Sequence, residues 1–208
     1  MKSFKVPNCY ISDKAYSDEY AAIYSYLFIS CPKSHEITTS TRSLLSFCHY
    51  SLKLKNNRSG FNRIFEVLTF FADKGIISFD PAEYTPKLDR EIHIKILSDF
   101  NLKKGYTRVP VSAYEKISSS CVPFLPCYRW FLFVLSKCRS NKAVSLSMKY
   151  IADSIGFSAS KGKKISATVC STGIFEVEMP NVRRSVVNGH TYCESKKYFF
   201  KDNKRKSH

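Results

Sequence analysis

The chain has 208 residues, enough for one large or two small domains, with 44% hydrophobic and 24% charged residues. That balance excludes general disorder, and no apolar run approaches the roughly 20 residues that cross a bilayer. The 33 Lys and Arg outnumber 17 Asp and Glu, so the net charge is +16, which implies an anionic polymer or surface as partner. The start of the chain lacks a signal-peptide apolar region after Lys2, so a cytoplasmic protein is expected.

In chain order, residues 5–11 read as an extended lead-in around Val6 and Pro7, followed by a turn. Ser17-Asp18-Glu19 is a capping sequence with acids in the first helical turn. A helix is predicted over 20–30, with Tyr20, Ile23, Tyr24, Leu27 and Phe28 on one apolar stripe, stopped by Cys31-Pro32. Residues 36–39 are a short strand, and Ser40 or Thr41 caps a helix carrying Leu44, Leu45, Phe47 and Cys48. Residues 56–60 make a polar turn before a helix over 61–73. Phe61, Ile64, Phe65, Leu68, Phe71 and Ala72 form its core stripe. Asn62, Arg63, Glu66, Phe70 and Asp73 point outward on an ideal wheel, although a rotated helix would put Phe70 in the core. Lys74-Gly75 ends the helix, and strands follow at 76–79 and 91–97.

The second half begins after a linker-like stretch at 99–106. A short helix is expected over 112–119, a Pro-containing loop over 121–126 and an apolar helix over 128–138. Val144, Leu146 and Met148 alternate with polar residues as a half-buried strand. Ser147 can cap a helix whose inner face is Ile151, Ala152 and Ile155, ended by Gly156. Ser158 or Ser160 opens the next helix, with Ile165 and Val169 inward and Ser160, Lys161, Lys163, Lys164 and Thr168 on the polar side. Gly162 within it costs about 1 kcal/mol relative to Ala, which favours a short helix starting at Gly162 or later. Thr172-Gly173 breaks it. Ile174, Phe175 and Val177 begin a strand, 180–190 is a cation-rich loop, and 191–200 returns as a second strand.

The punctuation repeats. Val6-Pro7 matches Val109-Pro110, residues 36–40 match 143–147, and 74–77 match 172–175, at offsets of 103, 107 and 98. Two tandem units follow: residues 1–100, residues 106–200, and a basic tail at 201–208.

YIADSIGFSASKGKKISATVCSTGIFEV, followed by a hairpin, resembles the bacterial and phage winged-helix motif that reads hydrophobic-Ala-x-x-hydrophobic-Gly-hydrophobic-Ser … Gly-Ile; with the hairpin the match spans roughly a quarter of the chain. The resemblance implies an α+β fold of two tandem winged-helix units, similar to plasmid and phage replication initiators. In those proteins one unit dimerises or assists while the other reads repeated sites. The function implied is sequence-specific double-stranded DNA binding in the replication or transcription regulation of a mobile element, with a homodimer formed through the first unit. The alternative is a winged-helix inhibitor or adaptor whose basic face meets an acidic or nucleic-acid-bound protein.

A helix-turn-helix lays its second helix in the major groove while its wing grips phosphates. The residues so placed are Ser160, Lys161, Lys163, Lys164 and Thr168 on the helix, and Arg183, Arg184, Lys196 and Lys197 on the wing. In the first unit, Arg42, Arg58 and Arg63, with Lys53 and Lys55, are the candidates for backbone contact. Its second helix carries Glu66 and Asp73, which repel phosphate, so packing or dimerisation is its expected role.

No enzyme, cofactor or metal is expected. There is no G-x-x-x-x-G-K motif and no His-x-x-x-His pair, and tyrosines of the DNA-cutting kind lack a His-x-His metal partner. The 8 cysteines contain no C-x-x-C. Cys31, His35, Cys48 and His49 are the nearest approach to a zinc set, but Cys31 ends a helix and Cys48 faces a core, so buried thiols are expected.

Overall fold

The computed structural model describes residues 3–31, 35–53, 58–80, 87–98, 105–138, 144–178, 186–187, 190–191 and 196–201. The first half runs β1 (Ser3–Pro7), α1 (Asn8–Ser12), α2 (Asp18–Ser30), β2 (Glu36–Ser40), α3 (Thr41–Phe47), α4 (Arg58–Asp73), β3 (Ile77–Asp80), β4 (Glu91–Ile96). The second runs β5 (Tyr106–Pro110), α5 (Val111–Ser120), α6 (Phe124–Lys137), β6 (Val144–Leu146), α7 (Met148–Ile155), α8 (Ala159–Ser171), β7 (Phe175–Glu178), β8 (Val186–Val187), β9 (His190–Thr191), β10 (Lys196–Phe200). The order β-α-α-β-α-α-β-β thus occurs twice, with the small β8–β9 pair added in the second half. The fold is α+β with small antiparallel sheets: β2-β4-β3, β6-β10-β7, and the two-stranded β1-β5 and β8-β9. No helix among the described residues is long and apolar enough to cross a membrane.

The two halves meet around a local twofold relation. β1 pairs antiparallel with β5, and the central pair of that register is Lys5↔Arg108, two residues that the repeat itself makes equivalent. Only a symmetric arrangement places an element against its own counterpart in this way. Beneath the ribbon, α2 packs on α6, and Ser25 Oγ and Tyr128 OH share a buried hydrogen bond of 2.7 Å. Ser25 also donates to Ala21 O at 2.7 Å, so its hydroxyl is satisfied within the core. One continuous core joins both halves.

This central position explains the first departures from the sequence reading. α2 is buried on most of its circumference, including Ala21, Ala22, Ile23, Tyr24, Ser25 and Leu27, whereas Tyr20 and Phe28 of the expected stripe are only half-buried. A one-face pattern describes a helix at the edge of a core, and α2 is enclosed by α1, α4, α6 and β1. α6 likewise buries Cys127 to Leu135 without a break.

Other differences are local. The expected turn after Pro7 is the short helix α1, with Tyr10 and Ile11 buried. The expected turn at 56–60 gives way to α4 from Arg58 onward, so Gly60 is buried inside a helix. Residues 121–126 divide: Cys121–Pro123 form the connection, and Phe124 already begins α6, with Pro126 in its first turn, where no intrahelical N–H is needed. Met148 starts α7 rather than ending the strand, because the Ser147 hydroxyl accepts from Tyr150 N–H. The outward Phe70 of the wheel is half-buried, with its ring 5.7 Å from Tyr16 and 5.2 Å from Tyr20. The rotated alternative therefore holds for Phe70, while Asn62, Arg63, Glu66 and Asp73 are exposed as expected. Of the 99–106 linker, residues 99–104 lie outside the described residues, and Tyr106 belongs to β5.

Candidate nucleic-acid interface

The helix pair α7–α8 is built from the residues the sequence marks for it. Ile151, Ala152 and Ile155 are buried on the inner face of α7. Gly156 then takes φ +76°, the left-handed cap conformation that ends the helix. Ser158 occupies the N-cap of α8 and accepts from Lys161 N–H at 3.3 Å. α8 is thirteen residues long rather than short, and the reason is Gly162. A Cβ there would stand 3.1 Å from the Ala152 Cβ, so the glycine lets α7 and α8 cross at close range. Its propensity cost is offset by packing.

The buried side of α8 is Gly162, Ile165, Ser166 and Val169. Ser160, Lys163, Lys164, Ala167 and Ser171 form the middle of its exposed face. α8 contains no carboxylate, and neither Lys163 nor Lys164 makes an ion pair among the described residues. Lys161 lies on the flank, its ammonium 3.9 Å from the centre of the buried Phe157 ring. Thr168 is half-buried and donates its hydroxyl to Lys164 O at 3.1 Å. Both are thus partly engaged within the fold. Ala167 and Ser171, which sequence reasoning passed over, are central instead. Their signal was the i, i+4, i+7, i+11 spacing from Ser160.

Behind α8, β10 pairs with β7 and β6 as a hairpin sheet. The expected single strand over 191–200 is divided: His190–Thr191 pair with Val186–Val187, and only Lys196–Phe200 join the main sheet. Lys197 meets Glu178 at 3.8 Å, its cross-strand partner, and Lys196 is half-buried. Arg183 and Arg184 lie outside the described residues.

In the first half, Arg42 is bound by Asp89 through two hydrogen bonds of 2.7 and 3.1 Å, so its charge is locally balanced. Arg63 pairs with the buried Glu19 at 3.2 Å. Arg58 is exposed at the start of α4, where the helix dipole favours an anion over a cation. Lys53 is exposed, and Lys55 lies outside the described residues.

A cleft of about 570 Å³ opens beside α8 where the halves meet, bordered by Lys14, Asp18, Arg63, Val122, Phe157 and Lys161. Its wall holds two carboxylates with opposite electrostatics. Burial opposes the charge of Glu19, which is 2% exposed, but hydrogen bonds from Tyr50, Ser17, its own backbone and Arg63 outweigh burial. The carboxyl is held below its ordinary range. Burial dominates at Asp18 and raises its pKa despite the nearby Arg129 and Lys161. The expected cap at Ser17 is modified accordingly: Ser17 holds the N-cap position of α2 but bonds no backbone N–H, and its hydroxyl serves Glu19.

Arg129, 4% exposed, is the chief polar tie between the halves. Its guanidinium donates to the carbonyls of Ile11, Tyr16 and Asp13 at 3.1, 2.7 and 2.8 Å, and to Asp18 at 3.2 Å. The sequence signal was the run itself, since Arg129 is the one charged residue between Phe124 and Ser136 in a helix apolar all round; its partners are visible only in the fold.

Among the described residues, no group of three or more His, Cys, Asp or Glu side chains could hold a metal ion. Cys48 is buried, and burial pushes its thiol well above its ordinary pKa. Cys121 and Cys127 are free thiols buried in the core, and Cys121 Sγ donates to Thr168 O at 4.0 Å. No protein-family model matches the chain, and comparison with curated proteins likewise gives no match.

Proposed function

We propose that the chain is a tandem winged-helix protein that binds double-stranded DNA sequence-specifically through the exposed face of α8, in the manner of a replication initiator or regulator of a mobile element. The observation that carries this reading is the α8 face itself: Ser160, Lys163, Lys164, Ala167 and Ser171 exposed together, on a helix without a carboxylate. Lysines there neutralise phosphate or donate to guanine, Ser160 can donate to or accept from base edges, Ser171, whose hydroxyl donates to Thr168 O at 2.8 Å, can accept, and the Ala167 methyl suits contact with thymine. The close α7–α8 crossing supports the reading, since a reading helix needs a rigid base. The duplicated element order supports the tandem arrangement.

The first half serves chiefly as a packing partner. Arg42 and Arg63 are committed to Asp89 and Glu19, and Glu66 and Asp73 are exposed on α4. The test is selection of bound duplexes from a random-sequence pool, compared with binding to DNA flanking the gene. Enrichment of one site, lost in Lys163→Glu/Lys164→Glu, is the expected result. Retention of random duplexes with no enriched site contradicts sequence-specific binding.

A further inference from the structure

Lys14 belongs to the first half, yet its side chain lies against the turn that joins α7 to α8. Its Cγ and Cδ stand 3.7 and 3.9 Å from the position a Cβ would take at Gly156. The aliphatic stem therefore covers the turn. Lys14 is exposed and forms no ion pair among the described residues. It also borders the same cleft as Lys161, in the first turn of α8.

The segment that carries Lys14 is fixed. Arg129 holds the carbonyls of Ile11, Asp13 and Tyr16, and Asp13 Oδ1 accepts from Ala15 N–H at 2.9 Å. A lysine on such a segment has already lost its backbone freedom, so contact with a ligand restricts only the side chain. The two neighbouring carboxylates are turned elsewhere, Asp13 to Ala15 and Asp18 to Arg129. The positive end of the α8 dipole lies just past Gly156 and, like Lys14, favours an anion beside that turn.

We propose that Lys14 is a phosphate-contacting residue of the α8 DNA face, so that a single duplex is gripped from both halves of the chain at their junction. The inference rests on the reading that α8 meets DNA. It adds that the first half contributes directly, through the segment pinned by Arg129 rather than through its own α4.

The test is fluorescence anisotropy with a labelled duplex across a salt series, for the wild type, Lys14→Gln, Lys14→Arg and Lys164→Gln. Loss of one phosphate contact lowers the salt slope by about 0.9. Lys14→Gln is expected to show that drop with several-fold weaker binding, while Lys14→Arg keeps the wild-type slope and urea midpoints stay equal. A wild-type slope in Lys14→Gln beside a reduced one in Lys164→Gln overturns the role of Lys14 and leaves α8 as the reader. Unchanged slopes in both variants overturn the inference and the α8 reading together. Equal weakening by Lys14→Gln and Lys14→Arg, with lowered urea midpoints, also overturns it, since the stem would then matter only for folding.

Discussion

Asp18 and Glu19 are adjacent in sequence and oppositely perturbed, which makes the acid behaviour of the protein a residue-level test. Glu19 has a folded pKa below its ordinary 4.5, so its ionised form stabilises the fold. That contribution is present above 4.5 and is lost as pH falls through the lower folded value. Asp18 is raised above 3.8, so its contribution has the reverse sign: present below 3.8, withdrawn as pH rises through the folded value. Replacing Glu19 by Gln removes the first and also eases the second, because the Glu19 charge is one of the causes that raise Asp18. Glu19→Gln is expected to lower the urea midpoint at neutral pH and to flatten its fall below 4.5. An acid limb as steep as that of the wild type would show that the Tyr50–Glu19–Arg63 cluster does not carry the dependence.

At the scale of elements, α7 and α8 were the most legible part of the sequence because each boundary carries its own chemistry. Ser147 and Ser158 cap, and Gly156 breaks with a positive φ. The length of α8 was not legible. Propensity counts Gly162 as a weakness, whereas its worth comes from Ala152, 3.1 Å from a hypothetical Cβ and ten positions earlier in the chain. A β-branched side chain forces the helices apart: Gly162→Val is expected to lower stability by about 1–3 kcal/mol. Chemical denaturation measures this, and an unchanged midpoint would mean that the crossing is looser than described. The single-stripe reading of α2 failed for a related reason, since a pattern along one helix does not report how many neighbours surround it. The same holds for the cations: Arg42, Arg63 and Lys161 read as exposed charge, and their partners Asp89, Glu19 and Phe157 are visible only in the fold.

At the scale of the molecule, the repeat was legible from punctuation, and the acids on α4 led to the expectation that the first unit packs on the second or on another copy. The way the halves meet was not legible: they share a ribbon and a core through β1–β5 and α2–α6. Arg129 secures that junction with bonds to three carbonyls and one carboxylate. Its truncation leaves the half-buried Asp18 carboxylate and three carbonyls without their donor, so Arg129→Ala is expected to destabilise by about 3–5 kcal/mol. Thermal unfolding would report this as a large loss of midpoint shared by both halves. Retained stability would show that apolar packing alone joins them.

The most direct test of the whole account is the salt dependence of duplex binding by the wild type and by Lys163→Glu/Lys164→Glu, which leaves the engaged Lys161 in place. Binding whose slope is steep in the wild type and reduced by about two contacts in the variant, roughly 1.8, is the predicted result. Equal slopes and affinities for the two proteins would contradict a DNA-reading role for α8.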